Sequence, residues 1–260
     1  MDFFESIGSR DDINRLKEAK KLRLFLDYDG TLAEFAPTPD HVLPDPDLIK
    51  ILIRLASVAT IQTAIVSGRR LEHIRKLAPV PGFILVGTYG VEIQTPDGEI
   101  INRLDYEKIR PSLDLIKPEW EQLMFNRNGF YLEDKGWSLA IHARYATETE
   151  SSWLLDAAGK KAAGIMDSGK FRLLGGNQFL EISPILANKG GAIEYLLEEY
   201  PFPGAFPVYV GDDDKDEEAF KVVNQHGGVS ILVAKEARQS QAELRIKSPA
   251  AVRDWLETLA

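Results

Sequence analysis

The chain contains no cysteine, which excludes disulfides, thiolate nucleophiles and cysteine-based zinc sites and points to a reducing, cytoplasmic location. Long apolar runs are missing too. None approaches the roughly 18 residues needed to span a bilayer, so no membrane association is expected. Basic residues are in the minority: 31 Lys and Arg stand against 40 Asp and Glu in 260 residues, a net charge of −9. Such a surface repels phosphate backbones, so nucleic acid is not an expected partner. Residues 1–10 include Asp2 and Glu5 and lack a basic stretch followed by an apolar one, so no secretory signal is expected there. No internal repeat and no low-complexity segment is visible. What is present is the ordinary mixture of a folded protein, 44% hydrophobic and 27% charged, at a length suited to one large domain or two small ones. An acidic protein of this kind binds an anion only through a local device: a metal, a lysine or a helix N-terminus.

Residues 22–27 (LRLFLD) form a short apolar run of the kind a buried parallel strand shows, ending in the turn sequence Tyr28-Asp29-Gly30-Thr31. Pro37, Pro39, Pro44 and Pro46 mark an irregular link, after which Leu48, Ile51, Leu52 and Leu55 recur at helical spacing. Residues 61–66 predict a second strand that stops at Ser67-Gly68, followed by a basic helix with Leu71 and Ile74 inward. Residues 83–86 predict a third strand, and 89–101 a hairpin through Pro96-Asp97-Gly98. Alternation of this kind argues for a parallel sheet covered on both faces. Near Leu104 the pattern changes. A helix over 106–124 with one early proline precedes paired strands at 130–133 and 137–143. A helix over 148–163 precedes a second pair, 171–174 and 179–182, around Gly175-Gly176-Asn177. This αββαββ stretch lacks the buried strands of the flanking parts and reads as an α+β module, residues 104–184, inserted into a core of 1–103 and 185–260. The α/β pattern then resumes with a helix at 189–199, a strand at 208–210, a helix at 217–224 and a strand at 229–233. A last helix is announced by Ser248 as N-cap with Pro249 at its first position.

In an open α/β sheet ligands bind at the carboxyl ends of the strands, and each candidate core strand here leads to a chemically pointed residue. The first ends at Asp27-Tyr28-Asp29-Gly30-Thr31 and the second at Ser67-Gly68-Arg69. Lys189-Gly190-Gly191 opens a helix, where an amine and unspent N–H groups suit a dianion. The strand at 208–210 runs into Gly211 and then six acids in the seven residues 212–218. Each has a bland reading. Asp27 and Asp29 serve equally well as turn formers, Ser67 as a helix N-cap, Lys189 as a solvated lysine, and the acids as a helix start favoured by the dipole. The conjunction favours chemistry. A buried strand should not run into a string of carboxylates unless a cation neutralises them. Two acid clusters at neighbouring strand ends make a site of hard oxygens suited to Mg²⁺, and with a lysine and a hydroxyl opposite they describe phosphoryl transfer.

Taken in order, Asp27-Tyr28-Asp29-Gly30-Thr31, Ser67, Lys189 and Gly211-Asp212 resemble the four motifs of the haloacid-dehalogenase-like (HAD) phosphatase superfamily. LDYDGTLAEF, VSGR, LEDKGWSLAIHAR, LEISPILANKGGAIEYLL and GDDDKDEEAF resemble blocks of its trehalose-6-phosphate phosphatase family, spread from residue 24 to residue 220. The resemblance implies a Rossmann-like parallel-sheet core with a C2B-type α+β cap. It implies Asp27 as nucleophile and Asp29 as general acid and base, a double role that a neighbouring carboxylate favours by keeping Asp29 protonated. It implies Mg²⁺ between Asp27, the backbone carbonyl of Asp29 and Asp212, with Ser67 and Lys189 on phosphoryl oxygens and backbone N–H groups from Gly30 and Thr31. Gly68 and Arg69 belong with the substrate groups, and Asp213 and Asp216 orient Lys189 or water. Glu133, Lys135 and Glu181 match positions that bind sugar hydroxyls; Arg69, His142 and Arg144 are further candidates for that role. His142 alternates with Leu139 and Ile141 and suits a structural role equally, as the four tryptophans suit the core.

The expected substrate is a small sugar phosphate, trehalose 6-phosphate first, handled by a monomer. Two positions depart from the family pattern: Tyr89 stands where histidine is usual and Lys215 where threonine is usual. They bear on the sugar, for which glucosyl- or mannosyl-phosphoglycerate and other compatible-solute precursors are alternatives. A phosphotransferase or mutase would share the aspartyl-phosphate step. A receiver-like phosphate-binding protein would use similar groups in a different motif order and without a large cap.

Overall fold

The computed structural model describes residues 3–9, 11–34, 42–176 and 178–260; Pro37, Pro39 and Asn177 lie outside the described residues. From the start of the chain come β1 (Glu5–Ser6), α1 (Asp11–Glu18), β2 (Leu22–Leu26), α2 (Pro46–Ala56), β3 (Ile61–Val66), α3 (Leu71–Leu77), β4 (Ile84–Gly87), β5 (Glu92–Gln94) and β6 (Ile100–Asn102). Next are α4 (Tyr106–Met124), β7 (Tyr131–Asp134), β8 (Leu139–His142), α5 (Glu148–Met166), β9 (Phe171–Gly176) and β10 (Phe179–Pro184). The chain closes with α6 (Lys189–Glu199), β11 (Phe206–Gly211), α7 (Glu217–Gln225), β12 (Val229–Val233), β13 (Leu244–Ile246) and α8 (Pro249–Leu259). It divides into two compact units, one of residues 1–101 and 188–260, the other of residues 102–187.

The first unit is an α/β layer structure. Its sheet runs β1-β13-β12-β11-β2-β3-β4-β5-β6, and the six strands from β13 to β4 pair in parallel. All five residues of β2 are buried, which is why the segment reads as a continuous apolar run rather than an alternation. Leu24 and Leu26 pack with Leu48, Leu52 and Leu55 of α2 and Val252 and Leu256 of α8. Phe25 packs on the other face, with Ile193 and Leu196 of α6 and Phe220 of α7. Helix starts follow local chemistry: Asp45 caps α2 ahead of Pro46, Asn188 caps α6 and Ser248 caps α8 ahead of Pro249. Sequence reasoning missed β1, α1 and β13. Strand β13 has three residues and β1 two, too short for a period to show, and α1 is so charged that Leu16 is its one buried apolar residue.

The second unit is a four-stranded antiparallel sheet in the order β7-β8-β10-β9 with α4 and α5. Its strands were expected to be less buried than those of the core, and here the structure corrects the reading. Leu139, Ala140 and Ile141 of β8 and Leu180, Glu181 and Ile182 of β10 are all buried, because these are the two central strands of the sheet. Helix α4 continues through Pro111 and also Pro118, both on its exposed side, while Ile109, Leu113, Ile116 and Trp120 are buried. Among the described residues no helix is long and apolar enough to cross a membrane.

Candidate active site

The carboxyl ends of β2, β3 and β11 and the N-terminus of α6 meet on one side of the parallel sheet. The Asp27 N–H donates to Val210 O at 2.9 Å, carrying the ladder one residue beyond β2. The chain then folds back on itself: the N–H groups of Leu32 and Ala33 both donate to Tyr28 O, and the Gly30 N–H donates to Ala33 O at 2.7 Å. That last bond corrects one expectation, since the Gly30 N–H assigned to a phosphoryl oxygen is already spent within the turn. Gly30 is required for another reason. Its φ is +81°, and a Cβ there would fall 2.2 Å from Asp212 Oδ2. Thr31, fully buried, donates its hydroxyl to Asp212 Oδ1 at 3.2 Å.

Lys189 is buried at the first position of α6, with its Nζ 2.7 Å from Asp27 Oδ1 and 2.6 Å from Asp216 Oδ1. Burial alone would discharge the amine, but the Asp216 and Asp27 carboxylates outweigh it and hold its pKa well above the ordinary lysine value. Asp216 accepts four hydrogen bonds. Lys189 Nζ and Tyr209 OH (2.6 Å) reach Oδ1, and the N–H groups of Asp212 (2.9 Å) and Asp213 (3.0 Å) reach Oδ2. Burial acts to raise the Asp216 pKa, yet Lys189 and these bonds bring it below the usual aspartate value.

Asp27 and Asp212 behave in the opposite way. Burial, opposed by Lys189 and reinforced by Asp216, Asp212 and Asp213, pushes the Asp27 carboxyl well above its ordinary value. Burial with Asp216 and Asp213 pushes Asp212 up to about 7. Two neighbouring carboxyl groups whose ionised forms are disfavoured by burial and by nearby negative charge are an arrangement that a hard divalent cation relieves. One carboxylate oxygen from each of Asp27, Asp212 and Asp216 lies within 4.8 Å of the others, so the cluster fits a metal ion. With about four lone-pair positions on a carboxylate, Asp216 is already filled, which leaves Asp27 and Asp212 as the natural ligands. Asp213, whose pKa burial also raises, caps the turn that follows by accepting the Lys215 N–H at 2.7 Å.

The loop after β3 is tied down by Ser67 N–H to Val86 O and by Arg69 N–H to Ser67 Oγ. Arg69 makes a bidentate contact to Asp29, Nε at 2.6 Å and Nη2 at 2.7 Å. A neighbouring carboxylate was expected beside Asp29 to keep it protonated; the group in contact with it is the Arg69 guanidinium instead. Gly68 accommodates the Tyr89 ring, whose Cζ would lie 2.4 Å from a Cβ. Sequence reasoning missed Tyr209 and Asn188. Tyr209 reads as strand core, whereas Asn188 before Lys189-Gly190-Gly191 is a legible N-cap signal.

In the second unit Glu181 is fully buried, yet both of its oxygens are engaged, by Lys135 Nζ (3.0 Å) and Ser138 Oγ (2.7 Å). Glu133 Oε2 lies 2.9 Å from His142 Nε2 and 3.9 Å from Lys135 Nζ. The structure thus joins four sequence-selected residues, Glu133, Lys135, His142 and Glu181, in one cluster, while Arg144 is exposed.

This constellation has relatives. The family model described as trehalose-phosphatase matches residues 25–250. A probable trehalose-phosphate phosphatase of Sinorhizobium fredii is 33% identical, over 91% of this chain and 87% of its own. Trehalose-phosphate phosphatase B of Arabidopsis thaliana is 30% identical, over 99% of this chain and 71% of its own. Among solved structures, the C-terminal domain of C. albicans trehalose-6-phosphate phosphatase superposes with a TM-score of 0.82, over 98% of each chain at 20% identity. The family match runs from within β2, through the acid loop, into the start of α8, so it takes in every strand end that builds the cluster. The chain belongs to the trehalose-phosphatase family.

Proposed function

We propose that the protein hydrolyses trehalose 6-phosphate to trehalose and inorganic phosphate through an aspartyl-phosphate, acting as a cytoplasmic monomer. Asp27 attacks phosphorus as the bond to the sugar oxygen breaks, which replaces one difficult displacement by two easier ones. Asp29 protonates the departing alkoxide and then takes a proton from the water that cleaves the aspartyl-phosphate. Ser67, Lys189 and the Thr31 N–H hold phosphoryl oxygens, and Asp216 positions Lys189. Asp27 and Asp212, with the Asp29 carbonyl, would hold Mg²⁺, which when bound offsets the repulsion between an anionic nucleophile and an anionic ester. Glu133 and Lys135 read the sugar hydroxyls, and Glu181, fully buried with both oxygens engaged, positions Lys135 rather than meeting the sugar itself. The observation that carries the reading is the charge arrangement at the strand ends: one ammonium held between Asp27 and Asp216, with one carboxylate oxygen from each of Asp27, Asp212 and Asp216 within 4.8 Å of the others.

The test is phosphate release from a panel of trehalose 6-phosphate, glucosyl- and mannosyl-phosphoglycerate, glucose 6-phosphate and an aryl phosphate, with and without EDTA. Trehalose 6-phosphate is expected to be the best substrate, with EDTA abolishing release. Alanine at Glu133 or Lys135 is expected to lower kcat/KM for it by about 10²-fold, on the order of 3 kcal/mol, while leaving the aryl phosphate nearly untouched. A phosphoglycerate ester ranking first would overturn the substrate. Full activity in EDTA would overturn the metal.

A further inference from the structure

Two residues singled out in the sequence, Tyr89 and Lys215, touch each other. Lys215 Nζ donates to Tyr89 OH at 3.1 Å, across 126 residues of sequence. Tyr89 is also held in an unusual backbone: it has φ +53°, and Thr88 before it has φ +46°. Both lie in the left-handed region, costing about 1 kcal/mol or more each for residues with a Cβ. Such strain persists where the surroundings over-determine it, and they do here. The Tyr89 N–H donates to Ser67 O at 2.9 Å, and its carbonyl accepts the Asn188 N–H at 2.9 Å. Its ring fills the space beside Gly68. One residue therefore binds the Ser67 loop, the N-cap of the helix carrying Lys189 and, through Lys215, the acid loop. Lys215 passes the tie onward, because its own N–H is held by Asp213 Oδ1 in the turn that presents Asp212 and Asp216.

We propose that Tyr89 and Lys215 are a positioning pair that fixes the acid loop against the Ser67 loop and the α6 N-terminus. Their bond sets the spacing of Ser67, Lys189 and Asp212 around the phosphoryl group. The catalytic consequence rests on the phosphatase reading above; the structural coupling does not.

The test is a double-mutant cycle of Tyr89→Phe and Lys215→Met with two readouts: kcat and KM on trehalose 6-phosphate, and Mg²⁺ half-saturation followed by the shift in thermal midpoint. Each single variant is expected to lower kcat and raise the Mg²⁺ half-saturation by about tenfold, the size of a hydrogen bond to a charged donor, with KM within about twofold. The double variant is expected to be no worse than either single one. Lys215→Arg, which keeps a donor, is expected to retain most of the parental kcat and Mg²⁺ half-saturation that Lys215→Met loses, and to change nothing in the Tyr89→Phe background. Losses that multiply to about a hundredfold, or single variants at parental values, would overturn the pair. Should Tyr89→Phe fail to fold, Lys215→Met and Lys215→Arg decide alone, since equal losses in both remove the hydrogen bond as the cause. A parent inactive on every phosphate ester would defeat the phosphatase reading, and the Mg²⁺ cycle would still decide the pair.

Discussion

Asp27 and Asp29 are two residues apart in sequence and stand in opposite electrostatic settings. Asp27 is buried beside Lys189 and Asp212, whereas Asp29 is gripped at both oxygens by Arg69. Their proposed roles make the amide variants fail differently. Asp27→Asn removes the nucleophile, so no phospho-enzyme is expected with any substrate. Asp29→Asn removes the proton donor but leaves attack on a good leaving group intact, so an aryl phosphate is expected to label Asp27, with slow release afterwards. Acid-quenched trapping of labelled enzyme checks this; equal labelling of both variants would reverse the assignment.

Asp134 ties two elements together, taking Arg110 through both oxygens at 2.7 and 2.8 Å, Lys117 at 2.9 Å and the Gly136 N–H at 2.9 Å. It joins helix α4 to the turn between β7 and β8. The Arg110 hydrogen bonds, opposed by burial and helped by Lys117, hold its carboxyl far below the usual aspartate value. A depressed folded-state pKa contributes stability that is fully present above the unfolded value near 4 and is lost as pH falls through the folded one. Asp134→Asn is therefore expected to cost roughly 1–2 kcal/mol at pH 7, and the gap to the parent should close as pH falls below about 4. Denaturant unfolding at several pH values measures it. A gap that stays constant with pH would mean that the amide loses only packing.

For the molecule as a whole, the acid cluster places a cost on the metal-free fold. The folded-state pKa of Asp212 is raised to about 7, so the folded protein keeps a proton that the unfolded chain releases near pH 4. The sign is opposite to that of Asp134: Asp212 makes stability fall as pH rises from about 4 to about 7, and the raised Asp27 carboxyl acts in the same direction. In EDTA the thermal midpoint is expected to decline over that window. Mg²⁺ is expected to restore it, because a ligand of the folded state alone stabilises by mass action. Asp212→Asn should weaken the decline, which Asp27 and Asp213 also feed, and should abolish the Mg²⁺ response. A midpoint in that variant which still responds to Mg²⁺ as the parent does would place the cation elsewhere.

Much of the core was written locally in the sequence. The apolar run ending at Asp27, the helical spacing of Leu48 to Leu55, and the Ser248-Pro249 start of the last helix each contain their own signal, because propensity, burial period and capping act over a few residues. The motif residues Asp27, Ser67, Lys189 and Asp212 could likewise be picked out as the polar ends of apolar strands. Other features had no local signature. That Asp216 is filled with four donors, which leaves Asp27 and Asp212 open to a cation, depends on Lys189 and Tyr209, which approach from other elements. Arg69 reaches Asp29 across 40 residues, Lys135 reaches Glu181 across 46, and Lys215 reaches Tyr89 across 126. Glu181 looks like a solvated strand residue until its partners are seen. Which side chains stand at the strand ends is legible along the chain; their partners and the direction in which their ionisation is shifted arise on folding, because electrostatic energies depend on distances and desolvation that exist once the chain has folded.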